Sequence, residues 1–97
     1  MLSEKLLKLL DEEGFVVSDQ DEVDCDVSIY TPAGEDWHFA LENDEHFVSY
    51  VEGFDPDDEF EMLFNSGLSG LPRPTELIQD QLWKQETLNR ILEEYYK

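Results

Sequence analysis

Basic residues are missing from most of this chain. There is no Lys or Arg between Lys8 and Arg73, and 19 of the 25 acidic residues lie in the intervening stretch 9–72. The two ends hold the other six acids and all six bases, so the middle of the chain carries the whole net charge of −19. Such a chain repels nucleic acids and anionic membranes, and we expect it to bind neither directly. The partner that this charge favours is a basic protein surface.

Cysteine is nearly absent as well. Cys25 is the single cysteine, which excludes an intrachain disulfide and a zinc site built from several cysteines. It lies on the apolar side of an alternating run, and the sequence offers it no partner base. This pattern predicts a buried structural thiol and not a nucleophile.

Long apolar runs are also missing. A membrane-spanning helix needs about 18 or more consecutive apolar residues, and the apolar stretch near the N-terminus is interrupted by Lys5 and Lys8. The interrupted stretch indicates an amphipathic helix instead of a signal peptide. We therefore expect a cytoplasmic protein with no membrane partner.

The apolar pattern predicts a single α+β domain over residues 1–97. Hydrophobic residues make up 40% of the chain and aromatic residues 12%, enough for a small core. We expect an N-terminal helix that begins at Ser3 and ends at Gly14. About three antiparallel strands follow, at 15–18, 23–31 and 37–42, and C-terminal helices pack on the resulting small sheet.

Residues 44–54 are compatible with two structures. Asn43 or Asp44 could cap a helix, whereas the β-branched and aromatic residues at 47–51 favour an edge strand. A further helix is predicted from Asp55 as N-cap, because Pro56 and several acids follow in its first turn.

The last helix is predicted to be the longest and to open with Thr75 and Glu76. Its expected apolar face consists of Leu77, Ile78, Leu82, Leu88, Ile91, Leu92 and Tyr95.

The segment SDQDEVDCDVSIY, residues 18–30, places acids on one side of a predicted strand. Acid clusters suggest calcium, but an EF-hand loop requires Gly at its sixth position and Glu at its twelfth. A loop that starts at Asp19 has Asp24 at the sixth position, and one that starts at Asp55 has Phe60 there. We therefore predict no dedicated metal site and no cofactor.

Enzymatic motifs are also missing. His38 and His46 have no Ser or Cys in a recognisable nucleophile setting, so we expect both on the surface or in packing roles. A carboxylate hydrolase would need two facing acids with separated pKa values, which spacing in sequence does not show. The chain is predicted not to be an enzyme, with a small carboxylate hydrolase as a remote alternative.

Two groups of acids are predicted to bind a partner by standing in for phosphates. Alternate residues of a strand lie about 6.6 Å apart on one face, so Asp24 and Asp26 would form a line of charge. We call the first group the strand row: Asp19, Asp21, Glu22, Asp24 and Asp26. We call the second the helix row: Glu52, Asp55, Asp57, Asp58, Glu59 and Glu61. A basic groove that tracks a nucleic-acid backbone would accept such rows.

Three segments resemble small acidic proteins encoded by phages, plasmids and conjugative elements of Firmicutes-type bacteria. They are TPAGEDW (31–37), EGFDPDDEFEM (52–62) and GLPRPTELIQD (70–80). The resemblance implies a mobile-element setting in a bacterial host cell. In character the chain is similar to DNA-mimic anti-CRISPR and antirestriction proteins, which implies a Cas nuclease or a restriction enzyme as the basic partner.

A second hypothesis assigns binding to apolar side chains of the last helix. In that interpretation the charge serves only solubility, and the chain is an interaction module of a mobile element. Trp83, Tyr95 and Tyr96 would contact the partner, which could be a second copy of the chain in a homodimer.

Overall fold

A computed structural model describes residues 1–19, 24–65 and 73–97 of the chain. Its described elements, in chain order, are α1 Glu4–Glu12, β1 Val16–Asp19, β2 Cys25–Tyr30, β3 Asp36–Leu41, α2 Asp44–Gly53, α3 Pro56–Asn65 and α4 Pro74–Tyr95. The predicted α+β class, with an N-terminal helix, a three-stranded antiparallel sheet and C-terminal helices, is confirmed.

Helix α1 begins and ends where the sequence predicts. The Ser3 hydroxyl accepts a hydrogen bond from the Leu6 N–H at 3.2 Å, as an N-cap does. Leu6 and Leu10 lie one turn apart and are fully buried. Gly14 has a φ of +99°, which glycine adopts at little cost, and it turns the chain into β1.

The sheet is a meander in the order β1-β2-β3. Val27 pairs with Phe39, and both side chains are buried on the inner face. On the outer face Val16, Ser28 and His38 lie in one cross-strand row. This outer face is largely exposed.

Strand β2 is shorter than the predicted span 23–31. Asp24 lies before its first residue. At the other end Thr31 belongs to the turn, because its N–H donates to the Glu35 carbonyl at 2.8 Å and its hydroxyl donates to Asp80. Cys25 is half-buried, not buried as predicted, since it occupies the first position of the strand.

Residues 44–54 form a helix. The Asn43 side chain caps α2 by accepting the His46 N–H at 2.8 Å. Phe47 and Val51, four residues apart, are both buried against the core. The cap and this helical spacing outweigh the strand propensity of the individual residues.

Helix α4 differs from the prediction at its start and along its buried face. It begins at Pro74 and not at Thr75, with Pro at N1. Ile78 and Leu82, predicted for the apolar face, are 45% and 49% exposed. Four polar residues are buried on this helix, namely Asp80, Gln81, Lys84 and Thr87.

One cluster of buried residues forms the core and draws on α1, β2, β3, α2 and α4. Phe15, Trp37, Phe39 and Phe54 pack there with ring centroids 5.1–6.2 Å apart where they contact. Helix α3 contributes no fully buried side chain and packs chiefly on α4. None of the described helices combines the length and apolar composition needed to cross a bilayer.

Candidate acidic interface

The strand row is only partly assembled on the sheet. Asp19 ends β1, and Asp26 lies on the outer face of β2, where it is exposed. Asp24 precedes the strand and is half-buried. Because β2 begins at Cys25, only Asp26 of the predicted line lies within the strand, and Asp24 directly precedes it. Asp21 and Glu22 lie outside the described residues.

His38 contacts Asp26 of the strand row and also Asp36 of β3. His38 Nε2 lies 2.9 Å from Asp36 Oδ2, and its Nδ1 lies 3.7 Å from Asp26 Oδ2. The hydrogen bond to Asp36, followed by the charges of Asp36 and Asp26, raises the pKa of His38 above 6.5 although desolvation opposes the shift. His38 is exposed on the outer face of the sheet, which agrees with the surface role predicted for it. His46 is likewise exposed.

The helix row is exposed in all but one of its members. Glu52 lies near the end of α2, and Asp55 caps α3 by accepting the Asp57 N–H at 3.0 Å. Asp57, Asp58 and Glu61 share the outward side of α3, since side chains three or four residues apart are neighbours on a helix. Among the described residues, none of these five carboxylates has an ion pair within 4.0 Å. They form a negative surface without ion-pair compensation in the described parts of the chain.

Glu59 is the exception, because it is half-buried and turns toward the body of the protein. Burial is the largest influence on it and raises its pKa above 4.5. The ammonium of Lys84 opposes the shift, while the carboxylates of Glu35 and Asp58 add to it. Glu59 therefore belongs to an internal charge cluster with Glu35 and Lys84, and the helix row at the surface consists of the other five acids.

A buried ion pair anchors that internal cluster. Lys84 Nζ lies 2.9 Å from Glu35 Oε1, with side chains 1% and 11% exposed. The same ammonium lies 5.3 Å from the centre of the Trp37 ring, within range for a cation–π contact. Glu35 Oε2 is buried and has no hydrogen-bond partner in the described structure. Glu35 thus depends on Lys84 for its compensation.

This pair is not among the sequence predictions, although the position of Lys84 in the sequence indicates that its side chain is buried. Lys84 follows Leu77 by seven residues and precedes Leu88 by four, which places it on the buried face of α4. A lysine at such a position needs an acidic partner in the core. The identity of that partner, 49 residues earlier in the chain, is not visible in the spacing.

Arg90 of α4 also forms an ion pair with an acid from the stretch 9–72, which contains no Lys or Arg. Arg90 Nε donates to Glu13 Oε1 and an Arg90 terminal nitrogen donates to Glu13 Oε2, both at 2.8 Å. This bidentate bond lowers the pKa of Glu13 below 4.5. The ends and the middle of the chain, separate in sequence, therefore neutralise one another in part in space.

Asp80 is buried beside a surface cavity of about 480 Å³ that Trp83, Glu76 and Pro32 also line. Both of its carboxylate oxygens are occupied, one by the Thr31 hydroxyl and the other by the Ala33 N–H at 3.2 Å. Asp80 thus fixes the β2–β3 turn to α4. In the parts of the chain that are described, no group of three or more His, Cys, Asp or Glu side chains is arranged to hold a metal ion.

Trp83 and Tyr95, which the second hypothesis assigns to partner binding, make contacts within the protein. Trp83 is half-buried and packs edge to face on Trp37, with centroids 6.3 Å apart. Tyr95 is half-buried and donates to Asp44 Oδ2 at 2.9 Å. Only Tyr96, 65% exposed, is mainly available to a partner.

No protein-family model matches this chain, and neither curated proteins nor solved structures gave a match.

Proposed function

We propose that this protein is a non-enzymatic inhibitor that occupies the nucleic-acid channel of a basic protein in the bacterial cytoplasm. The observation that carries the proposal is the exposed helix row, whose five surface carboxylates have no ion pair within the described residues. A solvated acidic face also favours solubility, but a net charge of about 2–8 serves that purpose in a small domain. The net charge here is −19.

The carboxylates stand in for the phosphates of a nucleic acid. Proteins that track a nucleic-acid backbone present Lys and Arg along a groove, and that groove attracts any matching array of negative charge. Attraction between oppositely charged surfaces accelerates association and weakens as salt screens it. A Cas nuclease or a restriction enzyme is the partner that we propose, and inhibition follows from displacement of its DNA.

Competition with DNA tests this function. A purified Cas-type nuclease and a purified restriction enzyme would each be bound to a fluorescent DNA duplex. Release of the duplex by added protein would then be followed by fluorescence anisotropy. We expect release from at least one enzyme, and a weaker effect when salt is raised from about 0.05 M to about 0.3 M, because phosphate-type contacts are salt-dependent.

Two charge variants make the test specific. The first removes four charges of the helix row: Asp55→Asn, Asp57→Asn, Asp58→Asn and Glu61→Gln. The control removes four exposed charges elsewhere: Asp11→Asn, Glu12→Gln, Glu86→Gln and Glu93→Gln. We expect the first variant to lose at least ten-fold in potency and the control to lose much less. Equal losses, or no release from either enzyme, would contradict the proposal.

A further inference from the structure

The outward side of α3 combines its carboxylates with large apolar side chains. Met62 and Phe64 are 60% and 55% exposed, and no side chain of α3 is fully buried. By helical spacing Met62 lies one turn after Asp58, and Phe64 lies three residues after Glu61. Phe64 also stacks on Phe60, with ring centroids 5.6 Å apart. An aromatic anchor is therefore held beside the acids of the helix row.

The helix on which α3 packs extends this apolar character. Ile78 and Leu82 lie one turn apart on α4 and are about half exposed. Four of the eight large apolar side chains that are exposed in the described structure thus belong to α3 and α4. Since α3 packs on α4, we take these four side chains as candidates for one interaction surface.

Charge decides which partner this surface fits. A second copy of the chain would bring another −19 against the same acids, and like charges in contact oppose association. An anionic membrane is repelled in the same way. A cationic protein surface is attracted, and it can bury Phe64 and Met62 only if it also presents apolar side chains.

We propose that α3, together with Ile78 and Leu82 of α4, docks into a protein groove that is both cationic and apolar. Phe64 and Met62 enter apolar pockets, while Asp57, Asp58 and Glu61 pair with Lys or Arg at the rim. Interfaces commonly have this arrangement, with a few aromatic anchors at the centre and charges around them. The inference rests on the proposed function in one respect, because it specifies the chemistry of the groove that the helix row occupies.

The mixed surface predicts a particular response to salt. Screening weakens the contribution of the carboxylates but not the burial of apolar area. We therefore expect the affinity for a cationic and apolar partner to fall as salt is raised and then to reach a plateau above zero. A purely phosphate-like surface would lose affinity without such a plateau.

Two synthetic peptides of equal length and equal positive charge test the inference without the natural partner. One alternates Lys and Leu to form an amphipathic helix, and the other replaces every Leu with Ser. Each peptide would be titrated into the full-length ¹⁵N-labelled protein by NMR. We expect the Lys–Leu peptide to bind at least ten-fold more tightly and to shift the amides of α3 and of residues 78–82.

Apolar variants assign that difference to the proposed surface. We expect Met62→Ser with Phe64→Ser to weaken binding of the Lys–Leu peptide about ten-fold, with little change for the Lys–Ser peptide. Ile78→Ser with Leu82→Ser, which leaves α3 intact, should act in the same direction. The matched control is Val16→Ser with Tyr30→Ser, which removes two similarly exposed apolar side chains from the sheet and should leave binding unchanged.

Equal affinity for the two peptides, or an equal loss in the sheet control, would overturn the inference. So would sedimentation that shows a dimer dissociated by Met62→Ser with Phe64→Ser, since the occupant would then be a second copy. These outcomes are independent of the DNA competition. If DNA release fails while the peptides behave as expected, the surface stands and the proposed enzyme class is wrong.

Discussion

Single residues in this protein matter most where charge is buried. Lys84 and Glu35 form an ion pair that is almost entirely removed from solvent. Two charges in such a place stabilise the fold only while both are present, because either one alone is buried without compensation. The pair joins the β2–β3 turn to α4, in addition to the hydrogen bonds that Asp80 makes with the same turn.

A double-mutant cycle on this pair is the first prediction. We expect Lys84→Met to lower the free energy of unfolding by about 3–5 kcal/mol, since Glu35 is left buried without a counter-charge. Adding Glu35→Gln should recover part of the loss. Urea denaturation of the four proteins measures both effects. Losses that simply add would show that the two side chains do not interact.

The second prediction concerns His38 on the outer face of the sheet. Its pKa is raised above 6.5 by the hydrogen bond to Asp36 and by two nearby carboxylates. The stabilisation from this raised pKa is complete below about pH 6.5 and is lost as pH rises through the folded-state pKa. We expect Asp36→Asn to return the pKa of His38 toward 6.5.

An NMR pH titration of the His38 ring measures that pKa directly. Asp57→Asn is the control, since it removes a charge that is not paired with His38. An unchanged His38 pKa in Asp36→Asn would show that the 2.9 Å contact is absent in solution.

Among the described helices, α3 is the one that buries no side chain fully. Helix α4, by contrast, buries seven residues over its length. Elements with few buried apolar contacts open at lower free energy than the elements of the core. Glu59 further lowers the stability of α3, because its half-buried carboxylate lies near that of Glu35 and has a raised pKa.

Hydrogen exchange tests the relative stability of these elements. We expect the amides of residues 60–65 to exchange faster than those of residues 84–91, by about ten-fold or more. Glu59→Gln removes the unfavourable charge and should slow exchange in α3, with Glu52→Gln as the exposed control. Equal protection of the amides of α3 and α4 would contradict the prediction that α3 opens at lower free energy.

For the whole molecule, the dominant feature is its excess of negative charge. A few ion pairs, including Glu13 with Arg90, compensate only a fraction of a net charge of −19. The remaining carboxylates repel one another in the compact state, and folding brings them closer together. Added salt screens this repulsion at distances beyond about 10 Å at 0.1 M.

The fourth prediction is therefore that salt stabilises the protein. Raising NaCl from about 0.05 M to about 0.5 M should raise the free energy of unfolding on the order of 1 kcal/mol, as measured in urea. The variant that neutralises four charges of the helix row should gain less from the same salt. A decrease with salt would mean that ion pairs outweigh the repulsion.

The fold class followed from local patterns, and the details of the site did not. The strands, the cap at Ser3 and the helix start at Asp55 were predicted because each depends on neighbours within a few residues. The sequence leaves the choice between helix and strand at 44–54 open, since both propensities are present there and only packing of Phe47 and Val51 decides it. The predicted start of β2 at residue 23 is also earlier than its first residue in the structure, Cys25.

The sequence by itself determined the α+β class and the stretch from 9 to 72 without one basic residue. Tertiary structure decided which of those acids gain an ion-pair partner and which stay exposed without one. It placed Lys84 on Glu35, Arg90 on Glu13 and His38 beside Asp26, and it left the helix row exposed with Met62 and Phe64 beside it. The physical reason is range: propensity and periodicity act over a turn or a strand, whereas charge compensation joins residues up to 77 positions apart.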